Sequence, residues 1–126
     1  MKQELEATVR TYLSAVGNKD LGKVEELLAP DITFVGPAMT LSGARDVLAA
    51  LRRIGAIHVR NDVKRVFVDG NEVCVIYDFV TDTAAGAVPT VEWLRVEGGR
   101  VASVHLFFDR VSFKPASEEV ARRVVK

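Results

Sequence analysis

Apolar and polar positions change period about half-way along the chain. In the first half Leu5, Val9, Tyr12, Leu13 and Val16 recur at helical spacing, which predicts an amphipathic helix over 3–16 stopped by Gly17-Asn18. Asp20 is placed to cap a second helix with Leu21, Val24, Leu27 and Leu28 on its apolar side, ended by Pro30. A short strand follows over 32–35, closed by Gly36-Pro37. A third helix, capped by Ser42, turns Val47, Leu48, Leu51 and Ile54 inward and stops at Gly55. From Ile57 the period falls to two. Strands are predicted over 57–68, 72–82, 88–96 and 100–108, joined by turns at Asp69-Gly70-Asn71, Ala84-Ala85-Gly86 and Gly98-Gly99. Ser117, followed by Glu118 and Glu119, starts a final short helix. Helices first and a meander of long strands second predict one α+β domain over 1–126, with helices covering one face of an antiparallel sheet.

Strand parity sorts the side chains further. Glu92 alternates in phase with Leu94 and Val96, and so shares a face with Val104, Leu106 and Phe108 across the hairpin. Tyr77 and Phe79 fall on that same face. A carboxylate on an apolar concave face is costly unless it is paired, hydrogen-bonded or neutral, which makes Glu92 the leading candidate for a functional group. Tyr12, turned inward by helical spacing, is its expected partner, at the floor of a cavity walled by Phe34, Phe79, Leu94, Val104, Leu106 and Phe108, with Tyr77 adding a hydroxyl. A buried Glu92 beside a tyrosine either stays neutral and donates to a ligand oxygen or acts as a base of raised pKa. The alternative is a structural buried acid. The strand over 57–68 cannot hold one parity from end to end, so a bulge is expected between Val63 and Val66. His58 and Asp62 then become candidate bases at the cavity mouth, with Arg60 a cation in reach.

The opposite face is also apolar, with Ile76, Val80, Val91, Trp93 and Phe107, and a sheet covered on one side only should show water a polar second face. A homodimer through Ile76, Trp93, His105 and Phe107 is expected, with His105 a structural interface residue.

Composition narrows the classes. Seventeen basic residues balance seventeen acidic ones, so net charge points neither to nucleic acid nor to an anionic membrane. No run approaches the ~20 apolar residues of a membrane span, and no signal peptide is evident. Cys74 stands alone in the sequence; it reads as a buried structural thiol and fits a reducing, cytoplasmic compartment. Two histidines and one cysteine without close ligand spacing give no metal set, and no cofactor motif is present.

Several segments occur together in order: Arg10-Thr11-Tyr12-Leu13, Lys19-Asp20-Leu21, Pro30-Asp31-Ile32-Thr33-Phe34, Leu41-Ser42-Gly43 and Val104-His105-Leu106-Phe107-Phe108-Asp109. In this arrangement the chain resembles the nuclear transport factor two-like superfamily, which includes SnoaL-like polyketide cyclases, ketosteroid isomerases and limonene epoxide hydrolases. The resemblance implies a cone-shaped curved antiparallel sheet wrapped by N-terminal helices, a cystatin-like α+β barrel, with a deep apolar pocket inside and frequent dimers through the outer face. It also implies that Tyr12 and Glu92 match the tyrosine and the acid of the isomerase oxyanion hole. Gly36 stands where the isomerase base would be, and Leu106 where the C-terminal aspartate of the epoxide hydrolases would be. Three functions remain open: a binder of a hydrophobic small molecule; a cofactor-free isomerase, cyclase or dehydratase acting on a hydrophobic carbonyl compound; and a dimerisation module whose cavity is incidental.

Overall fold

A computed structural model of the protein describes residues 2–124. The elements run α1 (Lys2–Gly17), α2 (Leu21–Leu27), β1 (Leu28–Gly36), β2 (Met39–Ser42), α3 (Ala44–Ile54), β3 (His58–Asp69), β4 (Glu72–Thr81), β5 (Ala87–Glu97), β6 (Arg100–Phe108) and α4 (Arg110–Val124). Six strands form one curved, unclosed sheet in the order β2-β1-β6-β5-β4-β3. The fold is α+β, as the change of period predicts.

The sheet is mixed, not antiparallel throughout. β1 lies parallel to β6, while every other neighbouring pair is antiparallel. A parallel pair needs a long crossover, and here β2, α3 and three strands of the meander supply it. Bulges bend the sheet. One lies between Val63 and Arg65, where the switch of apolar parity predicts it, and another between His58 and Arg60. Irregularities in β1 and at Arg95/Val96 add to the curvature.

Three boundaries differ from the pattern. Pro30 does not terminate α2; Leu28 is already extended, and Pro30 lies inside β1 in the stretch where register to β6 shifts, so its missing N–H breaks no regular ladder. Gly43, not Ser42, precedes α3. Its φ of 90° is a conformation that glycine adopts at little cost, and its N–H donates to the Ile32 carbonyl at 2.7 Å. Ser42 instead ends the short strand β2. The last helix starts at Arg110, where Asp109 accepts from the Val111 N–H at 3.0 Å and the Ser112 hydroxyl at 2.8 Å. Asp109 is thus a helix cap.

The concave face carries the core. Val9, Leu13, Val24, Leu28, Ile32, Val73, Val75, Leu94, Val96 and Val104 pack together between the sheet and the first helices. Removal of each such side chain from water stabilises the fold by about 1.5–3 kcal/mol. A second cluster joins Ile57 to Ala116 and Val120 of α4. Between the clusters the packing leaves a hollow.

Candidate active site

Glu92 faces that hollow because of its register. In β5 it lies opposite Val75 of β4 and Leu106 of β6, with Trp93 and Val91 pointing the other way. The residue is 3% exposed. The cavity measures about 260 Å³. Tyr12, Leu13 and Val16 of α1, Phe34 of β1, Leu51 of α3, Tyr77 and Phe79 of β4, Leu106 and Phe108 of β6 and Phe113 of α4 supply its mainly apolar wall. Arg53 and Ser117, both exposed, stand at its rim.

The carboxyl is held by a tyrosine from the adjacent strand. Tyr77 lies opposite Thr90, one step diagonal to Glu92, and its hydroxyl donates to Glu92 Oε1 at 2.6 Å. Among the described residues the hydrogen-bond partner of Glu92 is thus Tyr77, not Tyr12. Tyr12, fully buried, comes close enough from α1 for the Glu92 charge to act on its hydroxyl. Burial raises the Glu92 pKa to about 7, and the Tyr77 bond restrains the rise. Burial and then the neighbouring carboxylate push both tyrosine hydroxyls well above their ordinary range, so they remain proton donors. The site therefore combines an acid poised at neutrality with two neutral hydroxyls in apolar surroundings. Such a site can donate to a ligand oxygen or take a proton from carbon.

The other expected site residues divide. Phe34, Tyr77, Phe79, Leu106 and Phe108 line the cavity. Leu94 and Val104 do not. They have the inward parity but lie opposite each other nearer the Gly98-Gly99 turn, where the first core cluster closes over them. Asp62 faces outward. Its register partner is Asp78, and it accepts from the Arg60 guanidinium at 2.9 Å, so Arg60 serves Asp62 and not Glu92. The bulge after His58 sets these two on the convex side. His58 is buried, but outside the cavity lining: its ring stacks on Phe79 at 3.9 Å and 14°. Burial lowers its pKa, and its Nδ1 has no partner among the described residues.

Asn61 is a polar lining residue that the pattern does not announce. It enters the cavity wall because β3 has bulges on both sides of it, and its pairing with the inward Phe79 fixes its direction. Met39 and Leu41 of β2 and Phe113 of α4 were equally hidden, since both elements escape the periodicity. Among the described residues no three His, Cys, Asp or Glu side chains gather as metal ligands, and no helix is long and apolar enough to cross a membrane.

Residues 9–104 match the profile of the SnoaL-like domain. The chain belongs to the SnoaL-like domain family. A protein from Kribbella flavida superposes with TM-score 0.80 at 26% identity, covering 92% of this chain and 95% of its own. A candidate ketosteroid isomerase from the same organism gives 0.75 at 21%, covering 86% and 79%. A candidate polyketide cyclase from Sinorhizobium meliloti gives 0.76 at 18%, covering 85% and 99%. The last two likenesses establish the fold alone. No curated protein sequence matches the chain.

Proposed function

We propose that this SnoaL-like domain binds a small hydrophobic molecule whose carbonyl, enol or phenol oxygen meets Glu92 at the cavity floor. The observation that carries this reading is a buried carboxyl in the wall of an apolar hollow, held on one oxygen by Tyr77. A merely structural acid would have its polar atoms tied up by protein groups. At about 260 Å³ the hollow is just below the common range for small-molecule pockets, roughly 300–1,000 Å³, which suits a ligand of one or two rings. Titration with 2-naphthol, followed by fluorescence or calorimetry, tests the reading. Binding to the wild type, weakened about tenfold or more by Tyr77→Phe together with Glu92→Ala, is the expected result. Equal binding to wild type and double variant, or none to either, would overturn it.

The Glu92 pKa of about 7 favours a second reading, cofactor-free proton transfer next to a carbonyl. In that case Glu92 takes the proton from carbon and the Tyr12 hydroxyl stabilises the enolate oxygen. Neither Gly36 nor Leu106 carries an acid, so the chemistry falls to Glu92. Deuterium exchange at the carbon between ring and carbonyl of 2-tetralone, monitored by NMR, separates catalyst from binder. Exchange that depends on Glu92 supports the catalyst.

The convex face supports a homodimer. Trp93, Ile76 and Phe107 are 45%, 37% and 51% exposed, and His105 stacks on Trp93 at 5.3 Å. A patch of this kind favours burial against a second copy.

A further inference from the structure

We infer that Asn61 is a second polar contact for the ligand and that His58 is the residue that positions it. This rests on the cavity being the binding site proposed above, and it adds a ligand class: compounds with one oxygen at Glu92 and a second hydroxyl or carbonyl at the other end of an apolar body.

The hydrogen bonds fix the Asn61 amide without ambiguity. Its Nδ2 donates to the Leu13 main-chain carbonyl at 2.9 Å. Its Oδ1 therefore faces His58 Nε2, 2.8 Å away, and because Oδ1 only accepts, Nε2 must carry the proton. Nδ1 is then a bare lone pair, which agrees with its lack of a partner among the described residues. Burial also disfavours a second ring proton. The neutral tautomer is thereby enforced, and the amide cannot turn over. Stacking on Phe79 holds the imidazole plane. Gly17 completes the arrangement. A Cβ there would lie 3.3 Å from the Asn61 main-chain nitrogen and 3.5 Å from Arg60 Cα, so glycine lets α1 approach β3 closely enough for Asn61 to reach Leu13.

This arrangement does more than tie helix to strand. After both bonds Asn61 retains one N–H and one lone pair, and the residue is only half-buried and forms part of the cavity wall. It lies in register with Phe79, four residues along β4 from Val75, the partner of Glu92. At about 3.4 Å per residue that is ~14 Å along the strand. The two polar points are thus at separate ends of the hollow. An amide offers both a donor and an acceptor, so it recognises a hydroxyl or a carbonyl equally.

The test compares 2-naphthol with 2,6-dihydroxynaphthalene, which adds a hydroxyl at the far end of the same body. Wild-type protein is expected to bind the diol about fivefold more tightly. Asn61→Leu should abolish this preference, bringing the ratio of the two affinities to about one. His58→Phe, which keeps a ring on Phe79 but loses the bond to Oδ1, should reduce the preference in the same way. A purely structural role for His58 would change both affinities together. The chain contains three asparagines, so selective ¹⁵N labelling resolves their side-chain amides. That of Asn61 should shift with the diol and not with 2-naphthol. No diol preference in the wild type, an equal preference in Asn61→Leu, or an unresponsive Asn61 amide would overturn the inference; the amide decides even if a variant fails to fold. Failure of either probe to bind at all would instead sink the reading of the cavity, and this inference with it.

Discussion

Glu92→Gln should flatten the pH dependence of stability. In the fold Glu92 titrates near 7, against an ordinary value of 4.5. The raised pKa sets the sign. Below pH 4.5 both folded and unfolded chains hold the proton, and the stabilisation is fully present. Between 4.5 and 7 the unfolded chain ionises while the fold keeps its proton, so rising pH draws the equilibrium towards unfolding. Above 7 the loss is complete. At about 1.4 kcal/mol per pH unit, this amounts to ~3 kcal/mol, a large part of the 5–15 kcal/mol typical of a domain. Glutamine keeps a carbonyl to accept from Tyr77 and carries no charge, so the variant lacks this slope. His58 acts in the opposite sense. Its pKa is lowered by burial, so the fold gains stability as pH rises towards 6.5, but this contribution is common to both proteins and cancels in their difference. The assay is urea denaturation followed by circular dichroism at pH 5, 6, 7 and 8, at one fixed protein concentration. The variant should gain on the wild type between pH 5 and about 7 and level off by pH 8, by ~2–3 kcal/mol in all. Parallel stability curves would refute the placement of an ionisable Glu92 in a dry site.

Four further outcomes are expected. Tyr77→Phe removes the bond that restrains the Glu92 pKa, so an NMR titration should find the Glu92 midpoint higher than in the wild type. Leu94→Ala opens a void in the core and not in the cavity wall; chemical denaturation should show a loss of about 2–5 kcal/mol, with 2-naphthol affinity retained. Asp62→Asn changes an outward residue paired with Arg60, and should leave both binding and deuterium exchange as they are. Trp93→Glu with Phe107→Glu places two charges on the convex patch; sedimentation should show a dimer for the wild type and a monomer for the variant.

Glu92 was legible in the sequence because strict alternation in β5 admits one assignment of faces. The same argument found Tyr77, Phe79, Leu106 and Phe108. Parity alone gives the face and not the depth along it, which is why Leu94 and Val104 point inward yet lie beneath the packed helices. The choice between Tyr12 and Tyr77 as partner was not available either, since both turn inward and the diagonal step across β4 and β5 is tertiary geometry. Asn61 and Asp62 are adjacent residues of opposite fate; the bulge after His58 decides which one enters the cavity, and no local signal fixes its position. The parallel pairing of β1 with β6 joins segments about seventy residues apart, beyond the reach of periodicity. Pro115 inside α4 masked the start of that helix and, with it, Phe113 in the wall.

The central claim is a buried, near-neutral carboxyl that meets the ligand. Carbon-detected NMR of the Glu92 side-chain carboxyl, titrated from pH 4 to 9 with and without 2-naphthol, tests it most directly. A midpoint near 7 in the free protein, displaced when 2-naphthol is bound, is the predicted result. A midpoint near 4.5 that ignores the ligand would contradict it.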